Sequence, residues 1–297
     1  MIHKSTWLVL LMVFPLIAFA QRERKVSGEY TYYAPLNVSP DAAVATAIEK
    51  ARIQALADAF GTLIDMHSTN LIQNENGKSN SNFFSLGESS VKGEWLGDTR
   101  DPKTEVWIEE GFLIANAKVW GEAREIVSAP IDVQAKLLRT PKGKNDTEHY
   151  AHGDDLYLSF KSPAKGFLAV YQIDAQGDAY CLLPYANDED GQFPVKANKN
   201  YILFATDYSD DPNECDEYVM TCDRTGTEQN MFYIIFSPNK FTKANDDHAK
   251  GSVDVEGQKL LLPRFLPFSD FQKWLLKCRR DDKDMQVVIK PVSITRE

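Results

Sequence analysis

Catalysis and metal binding need ionisable or nucleophilic side chains at fixed spacing, and a few stretches of this chain carry them. EHYAHGDD holds His149, His152, Asp154 and Asp155, nitrogen and oxygen donors suited to a metal or to acid–base work. They lack the helical spacing that fixes paired histidines, so the plainer reading is a solvated loop entering a strand. NDEDG at 187–191 follows a calcium-loop pattern in part, with Asp188 and Asp190 at ligand positions when Gly191 is aligned with the loop glycine. Ala186 and Ala197 stand where the first ligand and the closing Glu belong, which favours an acidic turn. SDDPNECDE offers Asp210, Asp211, Glu214 and Asp216 to a hard cation, with a charged, solvated connection as the rival. NGKS at 76–79 has Ile72 where a phosphate loop needs glycine, and GESSV at 87–91 lacks the second glycine of a nucleophile elbow. His67 and His248 are distant in sequence from every cysteine. No catalytic, cofactor or metal residue is assigned, and the balance leans away from an enzyme.

The four cysteines are Cys181, Cys215, Cys222 and Cys278, with no CxxC among them. Cys215 and Cys222 flank DEYVMT at a local-loop spacing and are the expected disulfide in an oxidising compartment, while Cys181 and Cys278 read as buried thiols. That compartment is implied by the first residues, MIHKSTWLVLLMVFPLIAFAQ. Lys4, an apolar run from Trp7 to Phe19, and Ala18 and Ala20 in an A-x-A arrangement describe a secretory leader cut between Ala20 and Gln21. A retained anchor is the alternative, although the run falls short of the ~20 residues a span prefers. No second apolar span follows, so the mature chain is expected free in a periplasm, at an envelope surface or outside the cell. The formal charge of −10 argues against nucleic acid and anionic lipid as partners.

The elements that would position these groups are legible from periodicity. GFLAVYQIDAQGDAYCLLPY at 166–185 is an apolar hairpin whose turn, Asp174 to Gly177, suits a type I turn closed by a left-handed glycine. Both faces of its strands are apolar, which places it centrally in a sheet covered on both sides. Upstream, RKVSGEYTYY alternates as a half-buried strand. Ser39, Pro40 and Asp41 then open a helix with Val44, Ile48, Ala51 and Ala55 on one face and Gly61 as its stop. FLIANAKVWGEAREI turns a small set inward, Leu113, Ala115, Ala117, Val119, Gly121 and Ala123, so helix and sheet should approach closely. TLIDMHSTNLIQ, VKGEWLG and TEVWIEE read as further strands, which puts Trp95, Trp107 and Trp120 on successive strands. Together they form either an aromatic ligand platform or, more simply, packing within a meander.

Pro130 marks a boundary. Beyond it, short strands separated by Pro, Gly and Asp/Asn clusters argue for a β-sandwich. A final helix follows with Ser269 and Gln272 as a capping box and Phe271, Trp274, Leu275 and Cys278 as its apolar stripe. MQVVIKPVSI closes the chain as a strand that Pro291 demotes to an edge.

HGDDLYLSFKSPAKGFLAVYQIDAQGDAYCLLPY, followed by YILFAT and NMFYIIFSPNKF, resembles the bacterial domain-of-unknown-function 4384 family over about 150–240. The amino-terminal GEYTYYAPLNVSPDAAVATAIEKARIQALADAFGTLI is similar, more loosely, to the first domain of flagellar assembly protein T. The whole arrangement looks like exported proteins of Bacteroidota. The resemblance implies a β-sandwich of exported or surface proteins without established catalytic residues or cofactor.

The expected fold class is α+β. A leader (1–20) precedes a small β-α-β-β-β domain (21–127) and a carboxy-terminal antiparallel β-sandwich with a docked helix and closing strand (128–297). The expected function is a non-catalytic cell-envelope binding or accessory module for a partner protein or glycan. Contacts are expected at loops 140–153, 186–199 and 207–217. The alternatives are a hydrolase with an interdomain site using His149 or His152, and an architectural envelope component.

Overall fold

The computed structural model describes residues 23–35, 38–63, 91–109, 111–126, 131–185, 192–212, 215–222, 225–245, 252–255, 258–261 and 264–297. The leader with its Ala20–Gln21 cut, NGKS, residues 87–90 of GESSV, the NDEDG turn, His67 and His248 lie outside these residues. The described chain is α+β, mostly β-sheet with two α-helices.

The first sheet has three antiparallel strands in the order β1 (Glu23–Ala34), β3 (Phe112–Glu125), β2 (Gly93–Glu109), with helix α1 (Pro40–Phe60) across one face. Ser39 caps α1, its Oγ accepting the Ala42 N–H at 3.3 Å, and Gly61 ends it at φ 80°. Ala43, Ala47 and Ala51 meet Ala115, Ala117 and Val119, while Val44 and Ile48 flank this seam half-buried. Alanines occupy the centre because the backbones nearly touch: a Cβ on Gly28 would lie 2.2 Å from the Ala51 carbonyl oxygen. The expected close approach is therefore present, with the buried stripe rotated toward Ala43 and Ala47.

VKGEWLG and TEVWIEE are not two strands. They are the ends of the single strand β2, which absorbs its polar middle through register irregularities between Trp95 and Gly97, Asp98 and Arg100, and Arg100 and Lys103. Among the described residues the amino-terminal order is thus β-α-β-β rather than β-α-β-β-β. Of TLIDMHSTNLIQ only Thr62 and Leu63 are described, and Thr62 bridges Val91.

The second part holds β4 (Gln134–Leu138), β5 (His149–Ala151), β6 (Asp155–Lys161), β7 (Gly166–Ile173), β8 (Asp178–Leu183), β9 (Phe193–Val195), β10 (Tyr201–Leu203) and β11 (Tyr218–Val219). These are followed by β12 (Gly226–Ser237), β13 (Ser252–Val255), β14 (Gln258–Leu261), β15 (Arg264–Pro267), α2 (Phe268–Asp281) and β16 (Gln286–Arg296). One sheet runs β15-β8-β7-β12-β16-β5, with β9 also on β7. A smaller one runs β10-β6-β11, with β4 also on β6, and β13 pairs with β14.

The two larger sheets enclose Leu156, Leu158 and Phe160 against Leu168, Val170, Phe232, Ile234 and Phe236. On the far side of the large sheet, Ala169, Tyr171, Ile173, Tyr233 and Ile235 are covered by Phe271, Leu275 and Cys278 of α2. The β7–β8 hairpin is central and covered on both faces, as its unbroken apolar runs require. Its turn is held by Asp174, whose Oδ1 accepts the N–H groups of Gln176, Gly177 and Asp178 at 2.9 Å each, with Gly177 at φ 91°.

Two expectations about the carboxy-terminal end are corrected. Helix α2 starts at Phe268 without a side-chain cap, so Ser269 lies inside the first turn. β15 pairs with β8 and delivers the chain to the hairpin turn, where the Gly177 carbonyl accepts the Phe268 N–H at 3.0 Å. Nor is β16 simply an edge, because β5 pairs with it in parallel over Ser293, Ile294 and Thr295. Pro291 precedes that stretch, where its missing N–H has no ladder partner to lose.

Candidate functional site

The residues singled out for chemistry are dispersed onto separate structural duties. His149 Nδ1 lies 2.6 Å from the Ser293 Oγ across the β5–β16 pair, and His152 Nδ1 accepts the Cys222 N–H at 3.0 Å. Asp154 Oδ2 accepts the Ala151 N–H at 2.8 Å within a turn that uses Gly153 at φ 95°. Asp155 accepts the Tyr157 hydroxyl at 3.3 Å. EHYAHGDD is thus a short strand and a tight turn. In the 207–217 loop, Asp210 pairs with Lys199 at 2.6 Å, and that contact holds the Asp210 carboxyl below its ordinary pKa. The Ser209 Oγ accepts the Asp211 N–H at 3.2 Å, and Glu217 accepts the Thr206 N–H at 3.1 Å. Among the described residues, no group of three or more His, Cys, Asp or Glu side chains gathers to hold a metal. Glu214, Asp188 and Asp190 are outside them.

Cys215 and Cys222 do not form the expected disulfide. The two are not bonded to each other and have separate partners: Cys215 Sγ–H donates to the Tyr185 hydroxyl at 3.4 Å, and Cys222 Sγ–H to the Gly226 carbonyl at 3.9 Å. Between them, Tyr218 and Val219 of β11 pair with Leu156 and Asp155 of β6. Burial pushes the Cys278 thiol up to about 11.

One junction ties α2 to the first sheet. Arg279, buried, donates from Nη1 to the Val91 carbonyl at 2.9 Å, and burial lowers its guanidinium to about 10. Glu94 beside it accepts Arg124 at 2.8 Å and Arg280 at 3.0 Å. Along the carboxy-terminal half of α2 a cavity of about 440 Å³ is lined by Lys240, Phe241, Trp274, Lys277 and Asp282. Its best-placed carboxylate, Asp282, is already engaged by Ser237 and Asn239.

The surface that departs most from a soluble protein's norm is the end of the β2–β3 hairpin, turned at Gly111 (φ 82°). Tyr33, Val106, Trp107, Ile108 and Phe112 stand 64, 42, 38, 75 and 52 % exposed. The register explains their grouping: Tyr33 and Trp107 both lie opposite Ile114, one from each side, and Glu109 lies opposite Phe112. An aromatic row therefore crosses the sheet's outer face over the buried Ile114. Val106 and Ile108 point to the other face, opposite Ala115 and Leu113. Trp107 Nε1–H donates to Glu109 at 3.1 Å.

The three tryptophans part company. Trp95 leans inward over Gly121 under Arg52, Trp120 carries the Arg100 guanidinium 4.1 Å above its ring, and Trp107 alone joins the exposed row. The row has a partial signal in the sequence: Val106, Trp107 and Ile108 are consecutive and apolar, so the two faces of this strand end cannot both be covered by the same core.

Fold and surface together define a mostly β-sheet α+β protein with an open aromatic sheet end. Among the described residues no helix is long and apolar enough to cross a membrane. Compared with protein-family models the chain matches none, and no curated protein matches it.

Proposed function

We propose that this chain is a non-catalytic binding or accessory module of the cell envelope, exported by a leader cut between Ala20 and Gln21. In this reading a small domain (21–127) and a β-sandwich domain with a docked helix (128–297) act as one platform, joined through Arg279 and Glu94. The resemblance to the domain-of-unknown-function 4384 family and to exported proteins of Bacteroidota supports the placement. The observation that carries the function is the exposed row Tyr33, Trp107 and Phe112 on the sheet's outer face. Apolar surface of this kind marks a recognition site in soluble proteins, and rigid aromatic side chains supply contact area at little entropic cost. A partner protein or an envelope glycan would lie across the row.

The test compares capture from an envelope extract by the protein and by its Tyr33→Ala/Phe112→Ala variant, with the retained protein or glycan identified. Both side chains are exposed, so the variant keeps its fold. Retention of one defined species that the double variant loses supports the reading. Equal retention by both proteins, or none by either, overturns it.

A further inference from the structure

We infer that this protein pairs with a second copy of itself, edge to edge through β2, to join two three-stranded sheets into one of six. This goes beyond the binding reading and uses the strand's edge instead of its outer face. In the order β1-β3-β2, β2 is terminal among the described residues. Natural sheets blunt such edges with bulges, proline and charge. Here the bulges and the proline are confined to the first part of the strand: all three register irregularities lie before Lys103, and Pro102 sits at their end, while the charges Lys103, Glu105 and Glu109 stay within the window. From Lys103 to Glu109 the ladder with β3 is regular, and every residue of that window is exposed. The turn at Gly111 closes it on the other side.

The window's own symmetry sets the pairing. Its middle residue is Val106, and an antiparallel two-fold about Val106 uses its whole length. The pairs are then Val106 with Val106, Thr104 with Ile108, Glu105 with Trp107, and Lys103 with Glu109. Each lies on a common face, since side chains alternate with period two. Val106, Thr104 and Ile108 form an apolar strip on the inner face. Lys103 and Glu109 meet twice as opposite charges on the outer one. Moving the axis to Trp107 instead sets Glu105 against Glu109 twice, which like-charge repulsion disfavours. The patch is thus self-complementary in charge and apolarity in one register, as an isologous dimer requires.

Sedimentation of the purified protein over a range of concentrations, with the variants below, tests this. A mass rising toward two copies is expected. Either Lys103→Glu or Glu109→Lys should weaken the dimer by roughly five- to tenfold, through two cross-strand charge pairs, and the double variant Lys103→Glu/Glu109→Lys should restore it. Under mild oxidation Val106→Cys should cross-link to itself and Thr104→Cys should not. A strict monomer at all concentrations overturns the inference. So does a dimer indifferent to the charge reversals, or one that cross-links equally at both positions. Loss of the Tyr33→Ala/Phe112→Ala capture would leave this dimer intact, so the two readings fail separately.

Discussion

Replacing Gly28 by alanine tests how the first sheet is held against α1. The new Cβ would stand 2.2 Å from the Ala51 carbonyl oxygen, 2.9 Å from the Ala55 Cβ and 3.0 Å from the Ala55 nitrogen, where ordinary contact begins at 3.4 Å. The first and last of these are backbone atoms of a helix, so no rotamer change relieves them and α1 must retreat by about 1 Å. Retreat loosens the seam of Ala43, Ala47 and Ala51 against Ala115, Ala117 and Val119. Overpacking of this kind costs about 1–3 kcal/mol, and the upper end applies because the obstacle is backbone. Against a stability of roughly 5–15 kcal/mol, the urea midpoint should fall by about 1 M. Gly97→Ala is the control, since a Cβ there meets nothing within 4 Å, and it should stay within about 0.5 kcal/mol of the parent. Unfolding followed by circular dichroism and by tryptophan fluorescence, which sees Trp95 in this seam, supplies the measurement. Should Gly28→Ala and Gly97→Ala unfold alike, the argument that alanines line the seam because the backbones nearly touch is refuted.

Three further outcomes are expected. Glu94 is shared by Arg124 and Arg280 with its carboxylate 11 % exposed, so Glu94→Gln should cost about 1–2 kcal/mol, and a double-mutant cycle with Arg280→Gln should show coupling above about 0.5 kcal/mol; additive effects would mean that the carboxylate does not link α2 to the sheet. Because the Cys278 thiol rises from 9.0 to about 11, the folded state keeps its proton where the unfolded state has lost it. Stability should then decline from about pH 9 to pH 11 by on the order of 1–2 kcal/mol, with the decline diminished in Cys278→Ala. In denaturant without reductant all four cysteines should titrate as free thiols, with only two titrating if Cys215 and Cys222 are joined.

Legibility followed the range of the information. The β7–β8 hairpin was readable because both parities of its strands are apolar, which only a doubly covered strand tolerates. Its turn was readable because Asp174 to Gly177 is a four-residue stretch of local chemistry. The α1 seam was announced by small residues on helix and strand alike. The single long β2 was hidden by DTRDP, a polar middle that looks like a loop but is carried within the strand by shifts in register. Ser269 looked like a cap because sequence could not show that the Gly177 carbonyl would arrive first. Cys215 and Cys222 looked like a pair because their spacing is short, whereas each side chain takes its own partner, the Tyr185 hydroxyl for one and the Gly226 carbonyl for the other.

By itself the sequence determined the α+β character, the central hairpin and the close helix–sheet seam, since each rests on periodicity or contacts within a few residues. Tertiary structure alone decided that Tyr33 and Trp107 flank Ile114, that Arg279 reaches Val91, and that β2 is the terminal strand of its sheet among the described residues, with Lys103–Glu109 exposed. Those facts depend on which distant segments become neighbours, and periodicity carries a strand's faces but not the strand beside it.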